Sequence, residues 1–179
     1  MILYFVRHAS AGTAVSNLKK DEKRPLDDDG IQQCGVVGRA LAALNVQPDV
    51  IISSTLKRAT QTASLIGNEL GYEGKLQLES AMRPEASFAD FRRMLEKYSK
   101  HEAIMVVGHN PSITEFLARI ITKSGSEAML DFKKGAVARA ETMRHAATLN
   151  WFFTPKMARE IQAAAALAAE KSHPKTPRK

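Results

Sequence analysis

The sequence predicts an α/β fold, a three-layer α/β/α sandwich with a mainly parallel central sheet. Three observations support this. The runs "ILYFV" at 2–6, "PDVIISS" at 48–54 and "AIMVVGH" at 103–109 are apolar nearly throughout instead of alternating, as in strands buried on both faces. Segments with helical spacing separate them over the first 121 residues, the alternation that builds a parallel sheet. A length of 179 residues with 44% hydrophobic content suits one compact domain with a real core.

The elements follow in order. "ILYFV" is a strand of β-branched and aromatic residues. A polar loop with Lys19, Lys20, Lys23 and Arg24 comes next. "PLDDDG" opens a helix: Asp27 is the expected N-cap, and Asp28 and Asp29 suit the positive end of the helix dipole. This helix should reach about Leu44, with Ile31, Val37, Ala40, Leu41 and Leu44 facing inward. After the strand at 48–54, a helix runs from about Leu56 to Leu70 and stops at Gly71. "KLQLES" at 75–80 is a weaker strand. Residues 87–99 are helical, with Phe88, Phe91, Met94, Leu95 and Tyr98 at helical spacing. The strand at 103–109 leads into a helix at 111–121, with Pro111 in its first turn. "AVARAETM" and "ATLNWFF" are late strands able to pair as a hairpin. "PKMAREIQAAAALAAEKS" closes as an Ala-rich helix. Its stripe of Met157, Ile161, Ala164, Ala165 and Ala168 is expected to pack on the domain, with pairing to a second chain as the alternative.

Residues 1–170 are thus expected to form a single domain that includes the last helix. "KSHPKTPRK" at 171–179 is expected to be a basic, disordered tail, since it has two prolines and no apolar periodicity. The net charge is +7, and residues 155–179 hold six Lys/Arg against two acids. A solvated tail is the plain reading of that excess. A nucleic-acid contact is disfavoured, because aromatic content is 6% and the tail has no aromatic residue for base stacking. No run of about 18 apolar residues appears, so no membrane span is expected. Arg7 and His8 interrupt the first apolar run, so no signal peptide is expected either. The one cysteine, Cys34, cannot form an internal disulfide and reads as a small core residue. A cytoplasmic protein is the expectation. No His/Cys cluster has metal-ligand spacing, so neither metal nor cofactor is expected.

In open α/β sheets, ligands bind beyond the carboxyl ends of the strands. The first strand ends on Arg7-His8, the second runs into "SSTLKRATQT" with Ser53, Ser54, Lys57 and Arg58, and the third ends on "GHNPS" with His109. Each piece alone is a weak signal, but together they fit one chemistry. Arginine presents a planar fork that matches phosphate oxygens. Histidine is a nucleophile or proton carrier near neutral pH. Arg58 near a helix start adds its charge to backbone N–H groups that also favour anions. The set Arg7, His8, Arg58 and His109 is therefore a candidate site for a phosphoryl group.

On these residues the chain resembles the histidine phosphatase superfamily: "VRHAS", "SSTLKRATQT" and "VVGHNPS" are similar to its motifs. The expected fold is then phosphoglycerate-mutase-like. Within the superfamily the chain looks most like the SixA-type phosphohistidine phosphatases, through "RPLDDDG" at 24–30 and the "RHA" form of the first motif. The resemblance runs from Met1 to about Trp151. It implies that His8 takes up the phosphoryl group, that Arg7 and Arg58 bind its oxygens, and that His109 completes the pocket. Ser10 stands where mutases tend to have an acid, and Ala14 where they tend to have Asn; both argue against sugar-phosphate mutase activity. Many relatives draw a general acid from the segment before the third strand, where "ESAMRPEAS" offers Glu79 and, as the better candidate, Glu85.

The expected activity is a metal-independent phosphatase working through a phosphohistidine intermediate. Its expected partner is a phosphorylated protein, such as a histidine phosphotransfer domain, because the short stretch from Arg58 to His109 leaves little room for a large lid. A phosphatase of small phosphate esters is the alternative within enzymes. A phosphate-binding module without turnover is the alternative of another class. The oligomeric state is left open.

Overall fold

The computed structural model describes residues 1–122, 128–143 and 147–172. Six strands form one sheet: β1 (Ile2–Arg7), β2 (Val50–Ser53), β3 (Gln77–Leu78), β4 (Ala103–Gly108), β5 (Val137–Thr142) and β6 (Ala147–Phe153). Their order is β3-β2-β4-β1-β5-β6. The first four run parallel, β5 is antiparallel to β1, and β5 and β6 pair as the expected antiparallel ladder. Every residue of β4 is buried, as its unbroken apolar run requires.

Six helices accompany the sheet: α1 (Leu18–Glu22), α2 (Asp28–Ala43), α3 (Lys57–Glu69), α4 (Phe88–Lys97), α5 (Ser112–Ile121) and α6 (Pro155–Ser172). The strands bury residues on both faces. Leu3, Phe5, Ile52, Ile104 and Val106 pack with Phe91 and Met94 of α4 and Phe116 and Leu117 of α5. Tyr4, Val6, Ile51, Met105 and Val107 pack with Cys34, Val37 and Leu41 of α2 and Ala59, Ala63 and Ile66 of α3. This is the expected three-layer sandwich. Among the described residues, no helix is long and apolar enough to cross a membrane.

Some local expectations are corrected. Ile31 and Leu44 are about half exposed (49% and 54%). The buried face of α2 is instead Gly30, Cys34, Val37, Gly38 and Leu41, a helical series from which Ile31 is one position out of phase. The polar stretch after β1 contains the short helix α1, which has no buried residue and hence no apolar periodicity to reveal it. "KLQLES" contributes only two strand residues, then a 3-10 turn at Ser80–Met82.

On α6 the proposed stripe does not pack: Met157, Ile161, Ala164, Ala165 and Ala168 are exposed. Contact is made by the buried Pro155 and Ala158 and by Gln162, whose Nε2 donates to the Val36 carbonyl on α2 at 2.8 Å. The helix continues to Ser172, past the expected start of the tail, and residues 173–179 lie outside the described part.

Candidate active site

The topology places the carboxyl ends of β2, β4 and β1 side by side, and His8, Ser54–Arg58 and His109 follow them. The loop that carries His8 is held firmly. The His8 amide continues the ladder by donating to the Gly108 carbonyl at 2.9 Å, and Gly135 N donates to the Arg7 carbonyl at 3.1 Å. Asp27, the observed N-cap of α2, accepts from Gly30 N at 2.7 Å, from Ser10 Oγ at 2.8 Å and from Gly12 N at 2.7 Å. Ser10, where a mutase would tend to have an acid, thus ties the loop to a helix cap. A Cβ on Gly30 would stand 2.0 Å from the Ser10 carbonyl oxygen, so only glycine allows this approach.

Three of the four predicted residues are buried together: His8 is 8% exposed, Arg58 6% and His109 2%. The two imidazole rings lie 4.9 Å apart, centroid to centroid, and are tilted by 53°. Arg7 is half-buried, and its Nη1 donates to the Phe132 carbonyl at 2.7 Å. Arg7 Nε, Arg58 Nε and His109 Nδ1 are buried with no hydrogen-bond partner among the described residues. Unpaired buried polar groups are costly, so this concentration at one site suits a ligand rich in acceptors.

The backbone sets the protonation of the first ring. His8 Nδ1 lies 2.7 Å from the Ala9 carbonyl oxygen. A carbonyl only accepts, so Nδ1 carries the hydrogen and Nε2 keeps its lone pair. Burial pulls the His8 pKa down to about 3, reinforced by the charges of Arg58 and Arg7 and opposed by the Ala9 bond. Burial likewise pulls His109 down to about 2, with His8, Arg58 and Arg83 adding to the shift and Asp21 opposing it. Both rings are neutral at physiological pH.

His109 Nε2 lies 2.9 Å from Ser54 Oγ. Ser54 Oγ accepts from Leu56 N at 3.3 Å, and its hydroxyl hydrogen is free to go to His109 Nε2. With Ser54 as donor, the ring's own hydrogen sits on the unpartnered Nδ1. Arg58 is anchored from the opposite direction: its Nη1 donates to the Asp21 carbonyl at 2.9 Å and to Asp21 Oδ2 at 3.0 Å. Thr62, one turn along α3, donates to the Arg58 carbonyl at 2.7 Å and accepts from Ala9 N at 3.1 Å. It therefore joins the segments that carry His8 and Arg58.

Each of the two carboxylates predicted as acid candidates is engaged by a cation. Glu85 accepts from Arg83 Nε at 2.6 Å and its side chain is 66% exposed. Burial raises its pKa, but the bond and charge of Arg83 outweigh that and hold it below the usual range. Glu79 is engaged by Lys97 at 2.5 Å and by Tyr98 Oη at 2.8 Å. Arg83 also reaches Thr55 Oγ1 at 3.1 Å and Glu22. The described residues hold no group of three or more His, Cys, Asp or Glu that could bind a metal.

Asp21, Ser54, Thr62 and Arg83 are the site residues that sequence reasoning did not assign. Ser54 was at least visible at a strand end. The spacing of Asp21 three residues before Arg24 hints at an ion pair, but nothing local links either residue to Arg58.

The chain is similar to several known proteins. Residues 3–90 match the sequence model of the histidine phosphatase superfamily (branch 1). An uncharacterized protein of Picosynechococcus sp. is 30% identical over 140 residues, covering 76% of this chain and 82% of that one. The mitochondrial serine/threonine-protein phosphatase Pgam5 of Drosophila persimilis is 28% identical over 130 residues, 56% of this chain and 45% of that longer protein. Among solved structures, the protein histidine phosphatase SixA complexed with tungstate superposes with a TM-score of 0.77 at 20% identity, over 88% of this chain and 99% of that one.

Proposed function

We propose that this member of the histidine phosphatase superfamily is a phosphatase that removes the phosphoryl group from phosphohistidine in a protein by way of a phosphoenzyme on His8. The observation that carries the mechanism is the placement of the neutral His8 ring 4.9 Å from His109, with unpaired donors on Arg7, Arg58 and His109 beside it. In the first step His8 Nε2 attacks phosphorus in line. The bond to the leaving imidazole breaks, and the leaving nitrogen takes a proton from solvent. In the second step water attacks the phosphohistidine, Nε2 regains its lone pair, and inorganic phosphate departs. The transition state spreads charge over three equatorial oxygens. Arg7, Arg58 and His109 Nδ1–H offer fixed donors to them, so stabilisation needs little reorganisation.

The two arginines supply the positive charge the reaction needs, so turnover in the presence of a chelator is part of the proposal. Glu85 is ionised and bonded to Arg83, which counts against it as a general acid, and an imidazole leaving group needs none. A likeness to the protein histidine phosphatase SixA and the "RPLDDDG" segment support the phosphohistidine reading. The Pgam5 likeness supports phosphoserine or phosphothreonine esters as the second reading. A buried, unpaired Cys34 suits the reducing cytoplasm, where we place the protein; cell fractionation checks this.

The test is turnover of a panel in EDTA: a phosphorylated histidine phosphotransfer domain, a phosphoserine peptide, an aryl phosphate and sugar phosphates. We expect the phosphohistidine protein to give the highest kcat/KM and a trapped phosphoenzyme that His8→Ala cannot form. Preference for the phosphoserine peptide would transfer the assignment to the second reading. Binding without turnover of any member would overturn the enzyme itself.

A further inference from the structure

The short helix α1 reaches the pocket through Asp21. This residue joins two arginines: Oδ1 accepts from Arg24 Nε at 2.8 Å, and Oδ2 accepts from Arg58 Nη1 at 3.0 Å. Arg58 Nη1 also donates to the Asp21 backbone carbonyl at 2.9 Å. Arg24 in turn donates through Nη1 to the carbonyls of Ala11 and Gly12, in the loop that carries His8. A chain of charged contacts therefore runs from the nucleophile loop through Arg24 and Asp21 to the phosphate-binding arginine. Its members are largely sheltered: side-chain exposure is 7% for Arg58, 19% for Asp21 and 16% for Arg24.

The geometry decides which part of Arg58 is available. A guanidinium has five N–H groups in a planar fork. The two acceptors on Asp21 both engage Nη1. What remains is the side edge, Nε–H with Nη2, which can meet two oxygens of one phosphoryl group at once. Nε on that edge is the buried donor without a partner.

The geometry points to Asp21 as a positioning residue of the reaction: by gripping Arg58 Nη1 it presents the Nε–Nη2 edge to the transferring phosphoryl group, and through Arg24 it sets that edge relative to His8. The inference rests on the phosphatase reading of the same pocket. Asp21 touches no reacting atom and acts through Arg58. Misplacing a catalytic group by about 1 Å can cost about 10²-fold in rate. Ground-state anion binding depends chiefly on charge at the site, and removing a carboxylate does not lower it.

Asp21→Asn is the test variant, because an amide offers one acceptor oxygen and cannot serve both arginines. On an aryl phosphate, kcat should fall by about 10- to 100-fold with KM within about 3-fold. Inhibition by vanadate, a trigonal-bipyramidal mimic of the transition state, should weaken by a similar factor. Inhibition by inorganic phosphate should weaken by less than about 3-fold. In an Arg58→Ala background, Asp21→Asn should change kcat and vanadate affinity by less than about 3-fold, since the residue it positions is gone. Wild-type kcat in Asp21→Asn, or a full additional loss on top of Arg58→Ala, would overturn the inference. Wild-type turnover that His8→Ala abolishes checks the underlying reading separately. If that turnover is present and Asp21→Asn is silent, only the role of Asp21 falls.

Discussion

The floor and the rim of the pocket are held by different forces. At the floor, His8, Arg58 and His109 are each less than a tenth exposed, and they follow the ends of adjoining strands, Arg58 in the first turn of α3. At the rim, Arg83 joins Glu22 and Glu85, and the three side chains are 28%, 45% and 66% exposed. Strand-end backbone bonds and packing fix the two histidines, and an ion pair with Asp21 that is sheltered from solvent fixes Arg58. Ion pairs in contact with solvent fix the rim, and such pairs contribute about 0–1 kcal/mol each. The floor can therefore hold costly unpaired donors in register, while the rim can change at little cost to the fold.

The largest effects should come from the floor. His8→Ala should lower kcat by at least about 10³-fold, and Arg58→Ala by about 10²–10³-fold, with circular dichroism unchanged. Ser54→Ala should lower kcat by about 10-fold, because His109 loses the hydroxyl that keeps its hydrogen on Nδ1; steady-state kinetics checks all three. Near-normal turnover in Arg58→Ala would erase the distinction between floor and rim.

The two regions should also separate by pH. His8 and His109 have folded pKa values pulled to about 3 and about 2, below the unfolded value of about 6.5. Below that value the unfolded chain binds protons that the folded rings do not. Stability is therefore complete above about pH 7 and is lost as pH falls, with a slope of up to about 1.4 kcal/mol per pH unit for each ring. The folded pKa values of Asp21 and Glu85 lie below their ordinary ones, so their stabilisation is lost only at lower pH, as each carboxylate protonates. Thermal melts between pH 7 and 5 should report the histidines alone, and saturating phosphate should flatten the slope because a dianion favours the protonated rings. A Tm independent of pH in that window would contradict the buried, neutral pair.

The smallest effects belong to the rim. Arg83→Ala and Glu85→Gln should each change phosphohistidine turnover by less than about 3-fold and leave Tm nearly unchanged in 0.5 M salt, roughly, where such pairs are screened. A loss comparable to that of Arg58→Ala would place Arg83 in the floor.

The same division decides what could be read in the sequence. Arg7, His8, Arg58 and His109 were legible because buried strands advertise themselves through unbroken apolar runs, and an α/β topology gathers their ends. Asp21 was not, because α1 buries nothing and Leu18, its one large apolar residue, is 80% exposed. Its contact with Arg58 spans 37 positions, and no local pattern encodes such a pairing. Ile31 misled for a different reason: hydrophobicity alone does not fix the phase of a helix when glycines at 30 and 38 carry the close contacts. The stripe on α6 failed because alanine is equally compatible with burial and with helix propensity in water.

β1 has ladders on both sides, six residue pairs with β4 and five with β5. Withdrawing His8 from the pocket therefore means opening the middle of the sheet, which costs nearly as much as unfolding the whole molecule. Hydrogen exchange should therefore be slow at β1, which leads into His8, and faster at α1, which buries no residue. Mild heating should loosen access to the site long before it disturbs the attacking nitrogen.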